Sequence, residues 1–279
     1  MAKFGNLYPW KVFPLKNLVY SCVLPMKRNY KLLIFSLVLF VVIVLGIDQS
    51  YAGELRDRIS RFPQWENKPP VSIAKGDLIY PKWMEGTWTV TNSLIDMVAP
   101  LAPNLITPGF ESNRKYLHQP IQFNVKFESS QNPSLKSNLI PNSIIADRAF
   151  NGLNIGRGYL GEKGVLSVKV DPQNTNRQIT FLKGDKKLVF VVTSRGTETP
   201  KKNEFIATEV CQQIFQGETQ IYLNEVETTT NYHWLEKENQ IEADQITAIY
   251  LSPQDPDYFK AGNHPVVLYR YYLKLIPVN

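Results

Sequence analysis

The side chains best placed to do chemistry here are an acid and two arginines set among apolar neighbours. In the stretch Phe205 to Phe215, alternation puts Glu209, Cys211 and Gln213 on the same face as Phe205, Ala207 and Phe215. Arg148 and Arg157 lie in similarly apolar stretches, read as adjacent strands. If Glu209 met an arginine inside a barrel, the two would form a buried pair or a ligand-orienting group. The competing reading is a cross-strand salt bridge on the solvent side. Trp88, Arg148, Arg157 and Glu209 are therefore the candidate ligand-contacting residues, and none is assigned a catalytic role.

Other chemistries lack their signatures. The chain has no Gly-rich phosphate loop and no nucleophile elbow. His118, His233 and His264 are isolated, with no paired-His spacing, so no metal site and no cofactor are expected. Glu225 and Glu227 share a face of one strand, a pattern more typical of a solvated face than of acid–base work.

The elements that must position these residues begin after an apolar leader. Leu32 to Ile47 is a continuous apolar run behind the basic cluster Lys27, Arg28 and Lys31, and Ser50-Tyr51-Ala52 supplies small residues for cleavage before Gly53. Residues 26–52 read as a signal peptide or, if uncleaved, a membrane anchor through 32–47. Residues 1–25 read as disordered and as an over-extended start. The leader holds six Lys/Arg against Asp48, which is +5 of the formal +6. The remainder is near neutral, so a nucleic-acid partner is not expected. Cys22 belongs to the leader and Cys211 is left alone, read as a small buried hydrophobe.

From Gly53 the chain reads as an arm over 53–82 and one β domain over 83–279. Gly53 to Arg61 suits a short helix, and Phe62 to Lys82 an extended arm with Trp65 as an anchor. From Gly86, Trp88 and Val90 alternate with Thr87, Thr89 and Thr91. Ser93 is read as capping a helical turn that Pro100 ends. The apolar loop that follows, to residue 113, either packs on the barrel or covers its mouth. Ile121 to Glu128 is the cleanest strand, and Gln131 to Pro141 a polar loop. Asn151-Gly152 is read as a hairpin turn between strands Ile144–Phe150 and Leu153–Leu160. Arg195 to Asn203 is read as an exposed loop. Val266 to Ile276 closes the chain with Val267, Tyr269, Tyr271, Leu273 and Leu275 on one face. The expectation is all-β: a single antiparallel meander barrel of about ten strands.

Gly86-x-Trp88 at the start of such a domain resembles the first motif of lipocalins and other calycins, which implies that Trp88 plugs a barrel end. A wider resemblance rests on Phe62-Pro63-x-Trp65, Trp83-x-x-Gly86-Thr87-Trp88, Ala99-Pro100-Leu101-Ala102-Pro103, Ala146 to Gly152 and Tyr250 to Pro256. With these strings the chain resembles uncharacterised cyanobacterial and chloroplast proteins of the thylakoid lumen. That resemblance implies a lipocalin-like barrel in a photosynthetic setting and brings no catalytic residues. Calycin-type phycobiliprotein lyases are cytoplasmic, unlike this leader. Lumenal xanthophyll de-epoxidases carry a Cys-rich segment that is absent here. The expected partners are a small hydrophobic or pigment-like ligand, or a membrane complex that the chain assists. The alternatives are an assembly protein with a filled barrel and an enzyme acting on a hydrophobic ligand.

Overall fold

The computed structural model describes residues 53–107, 109–130, 142–217 and 221–278. The leader and the loop expected at Gln131–Pro141 lie outside the described residues. In chain order the elements are α1 (Glu54–Ser60), β1 (Ser72–Ile73), β2 (Gly86–Val98), α2 (Phe110–Asn113), β3 (Pro120–Ser129), β4 (Ile144–Ala146), α3 (Arg148–Leu160), β5 (Val165–Asp171), β6 (Asn174–Leu182), β7 (Lys186–Lys201), β8 (Glu204–Gln216), β9 (Ile221–Leu235), β10 (Gln240–Leu251), α4 (Tyr258–Ala261) and β11 (Val267–Pro277).

The sheet is an antiparallel meander, as expected. Its order is β4-β3-β2-β11-β10-β9-β8-β7-β6-β5, with β1 added beside β7. Pairing of β11 back onto β2 curls it into a lipocalin-like half-barrel whose free edges are β4 and β5. Alternation in β2 holds throughout its first half, with Trp88, Val90, Asn92 and Leu94 buried. Their partners on β11 are Pro277, Leu275, Leu273 and Tyr271, so the two strands present one inner face.

Three local expectations are corrected. The turn expected to be capped by Ser93 is strand instead. β2 continues to Val98 across a bulge, because β11 still offers Leu268 to Arg270 as hydrogen-bonding partners. The segment read as an exposed loop from Arg195 is strand to Lys201, paired with β8, and Glu198 within it is buried. The hairpin at Asn151-Gly152 is replaced by α3.

Two features of the sheet account for that helix. β4 pairs only with Phe127 to Ser129, which leaves most of β3 without a neighbour on that side. Asp147 starts the helix by accepting from the Phe150 amide at 3.0 Å. Asn151 then takes the place of a strand, accepting from Lys126 N at 2.6 Å and donating to Lys126 O at 3.1 Å. The glycines let α3 lie close across the seam. A Cβ on Gly156 would sit 2.8 Å from Val165 Cγ2 on β5, and one on Gly158 would sit 3.2 Å from the Gln122 carbonyl on β3. The helix thus spans the gap between the two halves of the sheet.

The outer face of β8 to β11 is covered as well. Leu55 and Ile59 of α1 and Trp65 of the arm pack on Ile206, Ile246, Ala248, Tyr250 and Leu268. Trp65 is 3% exposed, so it is the expected anchor. Arg58 crosses this layer to Glu227, with Nε to Oε1 at 2.7 Å and Nη2 to Oε2 at 2.8 Å. The acid expected on a solvated face is therefore wholly buried.

Candidate functional site

The concave side of the half-barrel holds a cavity of about 580 Å³, partly open to solvent. Phe123, Phe127, Phe190, Val90, Val125 and Leu273 supply much of its wall. Its polar groups are neutral, chiefly Asn92, Tyr159, Gln213, Gln245, Thr247 and Tyr271, and among the described residues no charged side chain lines it. α3 contributes Asn151, Ile155 and Tyr159, one stripe at four-residue spacing, so the helix that closes the seam is also a cavity wall.

Both ends of the interior are packed. At one end Trp88 is buried, donates from Nε1 to Met84 O at 2.8 Å and meets Trp234 edge-on at 6.1 Å. Trp83 stacks on the same Trp234 at 6.2 Å. At the other end Leu94 and Met97 pack with Phe110, Leu101 and Leu105. Phe110 stacks on Tyr269 at 6.3 Å, whose hydroxyl accepts from Asn113 Nδ2 at 2.8 Å. The apolar loop of residues 99–113 is thus packed on the barrel.

At the seam a charged cluster adjoins the cavity. Glu209 Oε1 receives Arg148 Nη2 at 2.9 Å and Arg195 Nη2 at 2.8 Å. Asp77 Oδ1 lies 3.8 Å from Arg148 Nε. Arg195 also donates to Gly76 O at 2.6 Å and to Asn176 Oδ1 at 2.5 Å. Two arginines against two acids leave this cluster without net charge. A smaller pocket of about 250 Å³ there shares Tyr80, Ala146, Asn151 and Ile155 with the main cavity. Burial raises the Tyr80 phenol well above its usual range, and Tyr232 and Glu209 add to the effect.

The model of a family described as a domain of unknown function, DUF6816, matches residues 72–279. The chain belongs to that family. No curated protein and no solved structure matches. The matched domain contains the whole cavity wall and the seam cluster, whereas α1 and Trp65 precede it.

Within the DUF6816 domain the four candidate residues part company. Arg148 and Glu209 meet on the inner side of the sheet, partly buried at 17% and 25% side-chain exposure, rather than on the solvent side. Arg148 reaches Glu209 from α3, not from a strand. Trp88 belongs to the end plug and does not line the cavity. Arg157 is two turns further along α3, 3.4 Å from the exposed Glu162, and does not join Glu209. Sequence reasoning missed Arg195, Asp77, Asn92, Tyr159 and Gln245. The outward run Thr87, Thr89, Thr91 already implied that Asn92 faces inward. Tyr159 was hidden by the strand reading of α3, and Arg195 by the loop reading of the end of β7.

Cys211, expected as a small buried hydrophobe, is half-buried on β8. Its Sγ lies 3.4 Å from Val226 O, and burial pushes its thiol up to about 12. A thiol held protonated is a poor nucleophile.

Proposed function

We propose that the chain is a non-catalytic binding module that holds an uncharged, mainly hydrophobic small molecule inside its barrel. The cavity carries this reading. Its volume falls in the range of about 300–1,000 Å³ that small-molecule sites occupy, with an apolar wall and a few neutral polar groups. A charged ligand would lose its hydration without meeting a counter-charge on that wall. The protonated Cys211 and the mutually neutralised seam cluster favour binding over catalysis.

A filled-barrel assembly protein would use the arm and the apolar loop as outward contact sites, but Trp65 of the arm and Phe110 beside the loop are packed on the domain itself, at 3% and 6% exposure. We read the leader as an export signal, which makes the thylakoid lumen or the periplasm the expected compartment and a photosynthetic membrane complex an expected partner. Support for that setting comes from the basic cluster, the apolar run and the lumenal resemblance. Among the described residues no helix is long and apolar enough to cross a membrane.

The test uses N-phenyl-1-naphthylamine, which fluoresces in apolar surroundings. Saturable one-to-one binding is expected, and its loss in Thr247→Trp, which fills the cavity from mid-strand on β10. Unsaturable binding, or wild-type binding by a folded Thr247→Trp protein, would refute interior binding.

A further inference from the structure

We propose that the cavity recognises a hydroxyl group, seated between Asn92 on β2, Tyr159 on α3 and Tyr271 on β11, at the polar end of an otherwise apolar ligand. This rests on the interior-binding reading and narrows it to alcohols.

The inference comes from unused hydrogen-bonding capacity. Asn92 is 6% exposed and lines the cavity. Its Nδ2 donates to the Tyr159 hydroxyl at 2.8 Å, while its Oδ1 is buried with no partner. A buried amide oxygen left unpaired is costly, and native structures leave few of them. The Tyr159 oxygen takes the Asn92 proton, and its own proton has no acceptor among the described residues. Tyr271 also lines the cavity and its hydroxyl makes no hydrogen bond among the described residues. Asn92 faces Leu273 across the β2–β11 pair, so Tyr271, two residues on, is its diagonal neighbour on the inner face.

Two hydroxyl protons and one amide oxygen, without partners among the described residues, therefore gather at this part of the wall. A hydroxyl is their complement, because its oxygen accepts two hydrogen bonds and gives one. Recognition requires the Asn92 amide to turn toward the cavity, since its free atom is buried. The count survives exchange of the amide's N and O positions. Tyr159 then donates to Oδ1, Nδ2 becomes the free donor and the Tyr159 oxygen the free acceptor. A carbonyl would leave the acceptor unfilled. A carboxylate would bring charge to a wall without a cation, where burial already holds the Tyr159 phenol up at about 12.

The experiment measures displacement of N-phenyl-1-naphthylamine from the full-length protein by 1-decanol, decanal and decanoate. The alcohol is expected to displace the reporter at about five- to tenfold lower concentration than the aldehyde, the scale of one net hydrogen bond, with decanoate weakest near neutral pH. In Asn92→Leu the alcohol and aldehyde should become equal while the reporter still binds; in Tyr271→Phe both should weaken severalfold with the alcohol keeping its lead, because the lost donor serves either oxygen. Tyr271→Phe removes a single oxygen and carries the test if Asn92→Leu fails to fold. Equal displacement by alcohol and aldehyde in the wild type overturns hydroxyl recognition and leaves interior binding standing. Undiminished displacement by the alcohol in Tyr271→Phe also overturns it. Failure of the reporter to bind the wild type overturns interior binding, and hydroxyl recognition with it.

Discussion

Replacing Arg58 with Met should destabilise the protein by about 3–5 kcal/mol, the usual cost of stranding one partner of a buried ion pair. The geometry argues for the full range. Arg58 is 6% exposed and Glu227 is wholly buried. The guanidinium grips both carboxylate oxygens, at 2.7 and 2.8 Å, and also donates to Asn67 O at 2.6 Å. Its plane lies over the Trp65 ring at 4.0 Å. Tyr250 and Thr229 donate to the same carboxylate at 2.8 and 2.9 Å. Those two hydrogen bonds would remain in Arg58→Met, but the charge would have no counter-ion. At about 2–4 °C per kcal/mol for a chain of this size, thermal unfolding should shift down by roughly 6–20 °C. Differential scanning calorimetry measures it. The double variant Arg58→Met with Glu227→Leu should recover most of the loss, because an apolar pair of similar volume suits this layer. A loss below about 1 kcal/mol in the single variant would refute the reasoning. It would mean that α1, which precedes the matched domain, does not clamp the sheet.

Three further outcomes follow from the same geometry. Gly156→Val should cost about 1–3 kcal/mol through overpacking against Val165 and should weaken reporter binding, since α3 must lift from the seam; denaturant titration with the fluorescence assay measures both. Trp88→Ala should cost about 3–5 kcal/mol while leaving reporter affinity in the folded fraction unchanged, because Trp88 closes the barrel end and does not touch the cavity. Burial raises Tyr159, Tyr232 and Cys211 to about 12 each. Their folded pKa values exceed the unfolded ones, so this stabilisation is complete below about pH 9–10 and is lost as pH rises through about 12; ultraviolet titration should show a late tyrosine step that coincides with unfolding.

Strands with one buried face were legible. β2 through Leu94, β3 and β11 from Tyr271 onward alternate, and their pairing gives the meander. Alternation fails where both faces are covered. Glu204 to Thr208 on β8 includes five consecutive buried residues, because α1 packs outside while Phe205 and Ala207 pack inside. The same covering hid Glu227, which reads as a solvated acid until Arg58 is placed above it. α3 was lost to a local rule. Asn-Gly favours a tight turn, but Asp147 as cap, Asn151 on the bare edge of β3 and glycines that admit close packing all favour helix here. Whether Glu209 met an arginine inside or formed a solvent-side salt bridge was left open, but the face it shares with Phe205 and Ala207 was legible from alternation. Arg195 was not, since a bulge between Val192 and Ser194 shifts the register that brings it opposite Glu209. The cavity's volume depends on how far the sheet curls and where α3 rests, neither of which is written in the local pattern.

The most direct test of interior binding is native mass spectrometry of the protein purified from its own host, with an absorbance spectrum of the same sample. The account predicts one bound small molecule per chain, neutral and released on unfolding. A chain mass with nothing bound in gentle conditions, together with a featureless visible spectrum and no uptake of an added apolar reporter, would contradict it.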